Sequence, residues 1–355
     1  MRRRRRPEVP DGAAVVAPAD RAAEAWRALR DASFTRTGAG GLAVLDPPGR
    51  RSGPAAVWPL GQVLVAHADL ELIGRADAAE GHALGVLLAR YAGPDPTRGY
   101  GPFPGDPARY FDDNAWIGLW ALQRHAQTGD PAMVAHAELV AGFVAGGQAA
   151  DGGVRWVDRP DSPRNTCATA PFAALGLRLA VATGDRRWRG RAEAALAFLA
   201  AELRTADGLY LDNVDARGRV DPAVWSYNQG TPVGALVQLH LVSGATEPLD
   251  QAVATADAAL AHYGTDDRLW SQPPAFNAIF FRNLVQLDAV VGRPAVWSAI
   301  DQYLDRAWRT ARDPGTGLLV GGGIGRYEQS GIDQAALVQL YAIQAAGRAA
   351  GAVVT

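Results

Sequence analysis

Residues 110–130 read YFDDNAWIGLWALQRHAQTGD. Behind the two acids, apolar side chains recur at the three- and four-residue spacing of an α-helix, which predicts a helix over 112–127. Thr128-Gly129-Asp130 then supplies both an ending and a beginning. Glycine suits the left-handed residue that closes a helix, and aspartate accepts hydrogen bonds from the free N–H groups that open the next. The same Thr-Gly-Asp stands at 183–185, and Ser243-Gly244 plays a similar part. The recurring unit is a helical hairpin entered through a long loop and folded back through a short one.

Helical periodicity extends over nearly the whole chain from Ala22. Twelve segments are expected: 20–32, 59–73, 78–92, 112–127, 131–146, 165–183, 187–204, 228–243, 247–263, 275–291, 295–311 and 331–348. Short links alternate with longer ones rich in Gly, Pro, Trp and Asp. Asp151 to Trp156 and Gly208 to Asp212 are candidates for small β-hairpins within the long links. Six hairpins have a natural closed packing, in which one helix of each pair lines an inner ring and the other an outer ring. The fold predicted is all-α, an (α/α)6 barrel of twelve helices in two concentric rings. It fills one domain over 20–355 behind a disordered basic tail at 1–19.

The inner helices are those entered from the long loops, so their N-termini gather at one mouth. Polar and aromatic residues recur there: Trp58 and Gln62, Asp112 and Asp113, Arg164 and Asn165, Tyr227 and Asn228, Phe276 and Asn277, Asp333 and Gln334. Trp58, Gln62, Asn165, Tyr227, Asn228 and Asn277 are the candidate substrate-binding residues. Asp112 and Asp113 are the candidate catalytic pair. An acid at a helix start is ordinarily a cap that suits the positive end of the helix dipole. Here large aromatics flank two adjacent acids, and a Gly/Pro-rich approach, Gly99 to Gly105, precedes them. Glycosidic bond cleavage needs two carboxyl groups in different protonation states, one to protonate the leaving oxygen and one to attack carbon or activate water. Neighbouring like charges disfavour joint ionisation, which helps keep one of them protonated.

The sequence resembles glycoside hydrolase family 76, the α-1,6-mannanase family, from about Ala22 to Ile343. The resemblance is carried by Tyr110 to Trp116, Gly152 to Trp156, Arg164-Asn165-Thr166-Cys167, Trp225 to Gly230 and Ala278 to Arg282. It implies an (α/α)6 barrel and a retaining mechanism acting on α-1,6-linked mannan or manno-oligosaccharides. It further implies Asp112 as nucleophile, Asp113 as acid/base, and no metal or other cofactor.

Composition narrows the rest. All 35 basic residues of the 355 are arginines, and the formal net charge is -2, which gives no reason to expect nucleic acid or an anionic membrane as partner. The expected partner is an oligosaccharide or polysaccharide. The arginine run after Met1 lacks the apolar stretch of a secretion signal, so the expected location is cytoplasmic. The single cysteine, Cys167, reads as a small buried residue, and no histidine pair has metal-ligand spacing. Gly321-Gly322-Gly323-Ile324-Gly325 lacks the lysine of a phosphate loop and reads as a flexible link. Two alternatives stay open: a sugar epimerase or isomerase on the same barrel, which ordinarily uses a histidine at the mouth, and a non-catalytic carbohydrate-binding protein.

Overall fold

The computed structural model describes residues 16–37, 41–46, 53–320 and 331–347. Most of the basic tail and the glycine run 321–325 therefore lie outside the described residues. Twelve α-helices follow in order: α1 Pro18–Ser33, α2 Val57–Leu72, α3 Ala78–Ala89, α4 Phe111–Thr128, α5 Pro131–Gly146 and α6 Thr166–Thr183. The second half holds α7 Arg186–Phe198, α8 Ser226–Ser243, α9 Glu247–Tyr263, α10 Pro274–Val291, α11 Pro294–Arg306 and α12 Gly331–Ala346. α7 and α11 each run on into one π-helical turn, at 199–203 and 307–311.

The even-numbered helices pack side by side in the cycle α2-α4-α6-α8-α10-α12 and back to α2. Outside them, α3, α5, α7, α9 and α11 each lie on the helix that precedes them, and α1 closes the outer ring by packing on α12. The chain is thus an (α/α)6 barrel. Gly129, Gly184 and Gly244 adopt the left-handed conformation (φ 71°, 73° and 71°) that ends α4, α6 and α8, and Asp130 and Asp185 cap α5 and α7. Inner helices are buried on nearly all sides, so their sequences are apolar almost all round. α6 has the length and composition to cross a bilayer, but most of it is buried as a barrel stave.

One regularity organises the mouth. The fourth residue of an inner helix is a buried polar side chain that ties down the loop before it. Asn114 accepts from the Tyr100 N–H (2.7 Å) and donates to the Tyr100 and Tyr110 carbonyls (3.1 and 2.7 Å). Thr169 accepts from Val154 N–H at 2.9 Å. Gln229 exchanges both bonds with the Tyr210 backbone at 2.7 and 2.8 Å. Asn277 donates to the Leu269 carbonyl at 2.9 Å, and Gln334 accepts from Leu319 N–H at 3.0 Å. A loop crossing a helix end carries backbone groups that would be buried without partners, and one polar side chain in the first helical turn satisfies some of them. α2 departs from the rule with Leu60. The approach to α2 is held by other repeats, through Tyr91 Oη to the Ala55 carbonyl (2.6 Å) and Val57 N–H to the Pro102 carbonyl (2.9 Å).

The loops carry two small antiparallel sheets, β1 Phe34–Arg36, β2 Leu42–Asp46 and β3 Gly53–Pro54, then β4 Arg164–Asn165, β5 Asn213–Val214 and β6 Val220–Asp221. The expected hairpins at 151–156 and 208–212 are present only as single bridges, Gln148 to Val154 and Arg204 to Tyr210.

Candidate active site

A cavity of about 760 Å³ opens at the mouth. Its wall includes the second residue of four inner helices in succession: Trp58 of α2, Asp112 of α4, Cys167 of α6 and Tyr227 of α8. The second position faces the cavity and the fourth faces the loops, because two residues along a helix turn the side chain through roughly 200°. Asp113, Asn165, Trp116, Trp156, Trp225, Phe276 and Asp212 complete much of the lining.

Asp112 and Asp113 stand in the first turn of α4, whose N-cap Tyr110 makes no side-chain cap. The turn is fixed from behind by Phe111, buried against Phe143 with centroids 4.9 Å apart, and by the Phe111 N–H bond to the Trp156 carbonyl (2.9 Å). The approach comes close to α4 at Gly99 (φ 64°), where a Cβ would sit 2.4 Å from Asn114 Oδ1.

The two carboxyls differ in their surroundings. Asp112 Oδ2 accepts the indole N–H of Trp156 at 3.0 Å and the Cys167 thiol at 3.6 Å. Burial raises Asp112 to about 6, against the helix-terminal N–H groups, Trp156 and Cys167, which favour its charged form. Among the described residues no hydrogen-bond donor offsets the burial of Asp113, and burial together with the Asp112 charge pushes it well above the ordinary carboxylate range. Of the two carboxyls, Asp113 therefore holds its proton the more strongly and Asp112 is the more readily ionised.

The sequence reading missed Asp212. It lines the cavity on the strand side, accepting from Asn228 Nδ2 (2.9 Å) and Asn213 Nδ2 (2.8 Å), with its carboxyl raised by burial. Its only sequence signal was an acid in a long loop. Cys167 is buried as expected, yet it also borders the cavity.

Three of the six candidate substrate-binding residues, Gln62, Asn228 and Asn277, do not line the cavity, and neither does Arg164 beside Asn165. Gln62, the sixth residue of α2, lies below the cavity and accepts from Gln339 at 3.1 Å. Asn228 is fully buried behind Asp212 and touches the cavity only through it. Asn277 is the fastener of its loop and also accepts from the Ser226 hydroxyl at 2.8 Å. Arg164 pairs with Asp151 and lies over the Phe198 ring, 5.6 Å from its centroid. Recurring polar residues at helix entrances were read as a substrate signature, but several of them hold loops.

The profile of Glycosyl hydrolase family 76 matches residues 24–322. A comparison with curated proteins finds no match. Among solved structures, a family 76 mannosidase from Bacteroides thetaiotaomicron is similar at 22% identity, with a TM-score of 0.78 over 92% of this chain and 98% of that one. The α-1,6-mannanase of Salegentibacter sp. HEL1_6 is 20% identical, with a TM-score of 0.75 over 92% and 99% of the two chains. That enzyme has also been solved as an inactive variant, two adjacent aspartates changed to asparagine, in complex with α-1,6-mannotriose. A D-mannose isomerase shares the barrel at 12% identity and a TM-score of 0.68, over 92% and 96%. At these identities the structures speak for the fold, while the profile spans most of the sequence: the chain belongs to glycoside hydrolase family 76.

Proposed function

We propose that the protein is a retaining α-mannoside hydrolase acting on α-1,6-linked mannan or manno-oligosaccharides, with Asp112 as nucleophile and Asp113 as acid/base. The observation that carries this reading is the pair of adjacent carboxyls in one cavity, one with donors on its carboxylate and one without. Asp112, with donors on its carboxylate, attacks the anomeric carbon as the bond to the leaving oxygen breaks. Asp113 gives that oxygen its proton. The result is a glycosyl ester on Asp112. Water then attacks the same carbon, Asp113 takes the water's proton, and the Asp112 carboxylate leaves.

Trp58, Trp156, Trp225, Tyr227 and Phe276 give the cavity flat apolar walls suited to the C–H faces of pyranose rings, and Asn165 and Asp212 add polar groups suited to hydroxyls. The α-1,6-mannan preference is supported by the named activities of the structural neighbours, including the inactive double-aspartate variant with α-1,6-mannotriose. Among the described residues no histidine lines the cavity, which gives the isomerase reading no base.

The test is proton NMR of the first product formed from α-1,6-manno-oligosaccharides, beside α-1,2- and α-1,3-linked controls. Release of the α-anomer from the 1,6-linked substrate is expected. A β-anomer released first would overturn the retaining scheme. Preference for another linkage would overturn the substrate.

A further inference from the structure

Two donors from outside α4 meet on one oxygen of Asp112. The indole N–H of Trp156 reaches Oδ2 from the cavity rim, and the thiol of Cys167 reaches the same atom at 3.6 Å from the neighbouring stave, α6. Cys167 is only 5% exposed, and it borders the cavity. It holds the second position of α6 as Asp112 holds that of α4, so the two meet across the seam between packed staves. A buried cysteine ordinarily behaves as a small apolar residue. This one turns its sulfur toward a carboxylate.

We propose that Cys167 is a positioning residue for the nucleophile: its S–H holds Asp112 Oδ2 from the deep side while Trp156 holds it from the rim, and together they fix the carboxylate in the orientation from which it attacks. The role rests on the glycosidase reading, whereas the thiol–carboxylate contact stands apart from it. A carboxylate with one side-chain donor can still turn about its side-chain bonds. A second donor from a different stave removes that freedom before substrate arrives, and preorganisation of this kind favours the attacking geometry. A thiol is a weak donor, but this one does not switch off. Burial and the charges of Asp112 and Asp212 push its ionisation well above the ordinary thiol range, so the sulfur keeps its proton through neutral pH. The titratable groups around the contact are Asp113 beside Asp112 on α4, Asp212 just before β5, and the Tyr227 hydroxyl of α8.

The chain has a single cysteine, so one S–H stretching band in the infrared spectrum reports this thiol alone. The band is followed in the unaltered full chain as pH is raised through the Asp112 value of about 6. Ionisation of Asp112 gives the thiol a charged acceptor, which strengthens the bond, so the band should move to lower frequency with its midpoint there. In Asp112→Asn it should stay in place. A band that does not move in the unaltered protein overturns the proposal, and that protein alone decides the point even where a variant fails to fold. A band that moves equally in Asp112→Asn overturns it as well, by assigning the movement to Asp212. The catalytic readout sets Cys167→Ala against Cys167→Ser on an aryl α-mannoside. Cys167→Ala should lower kcat by roughly two- to tenfold, the worth of one ordinary hydrogen bond, with KM little changed and the acid limb of the pH–rate profile moved to higher pH. Cys167→Ser keeps a donor and should recover part of the loss. An unchanged kcat and acid limb in Cys167→Ala overturn the positioning role, as does an effect on KM alone. A titrating band in a protein that turns over no α-mannoside sinks the glycosidase reading instead, and leaves the thiol's hold on Asp112 standing.

Discussion

The indole N–H of Trp156 points at Oδ2 of Asp112 across 3.0 Å, although the two residues belong to different repeats and the Trp156 ring is 41% exposed at the cavity rim. Trp156 is thus a wall of the cavity with its ring and a donor to the carboxylate with its nitrogen. Trp156→Phe separates the two roles. Loss of a donor to the charged form raises the pKa of Asp112, so the acid limb of the pH–rate profile should move to higher pH from its expected place at about 6. A hydrogen bond to a charged group is worth about 1.5–3 kcal/mol, so kcat near neutral pH should fall by about ten- to a hundredfold. An unchanged acid limb would show that Trp156 acts through its ring alone.

The division of labour between the acids is read from leaving groups. Asp113→Ala should harm natural α-mannosides more than aryl mannosides with activated leaving groups, which depart without a proton. Azide should partly restore turnover by attacking the glycosyl-enzyme directly. Asp112→Ala should abolish turnover of both substrates. Equal losses on both substrates for Asp113→Ala would remove it as the acid.

Burial of Asp113 also makes stability depend on pH. Folding raises its carboxyl well above the ordinary value. Such a group favours the folded chain below the unfolded value, and that favour is lost as pH rises through the folded one. Asp113→Asn removes the charge, so the variant's Tm advantage should widen as pH climbs. A constant Tm difference across the pH range would mean that Asp113 is not held protonated by its surroundings.

Asn228 and Asn277 look alike in sequence, and they should behave differently. Asn277→Ala leaves the Leu269 carbonyl and the Ser226 hydroxyl without their partner, an expected cost of about 1–3 kcal/mol in urea unfolding. Its kcat/KM should stay within about twofold of the unaltered enzyme, since it makes no cavity contact. Asn228→Ala releases one of the two side-chain donors on Asp212, so kcat/KM should fall by about tenfold, the worth of one such bond. The reverse pattern would exchange the roles assigned to them.

The barrel was legible because its information is local. Helical periodicity, capping dipeptides and the alternation of short and long links each depend on neighbours in sequence, and helix limits came out within a few residues. The acid pair was legible for the same reason: Asp112 and Asp113 are contiguous and framed by aromatics. Asp212 was not, because what makes it a cavity residue is Asn228 sixteen positions away and the sheet that carries it. Nor could sequence separate Asn228 from Asn277. They sit at the third and fourth residues of their helices, and helix starts predicted to within two residues cannot assign a face that changes by about 100° per residue.

The fourth-residue tether has a consequence for how this architecture diversifies. Each of five mouth loops is held by a side chain from the helix it leads into, so loop and anchor form one transferable cassette. Swapping such a cassette, first helical turn included, for one of another length would reshape the mouth while leaving the staves alone. The segment ahead of α2 is the exception. Tyr91 and Pro102, which hold it, lie outside any piece that could be transplanted with it, so a graft there would need compensating changes in its neighbours.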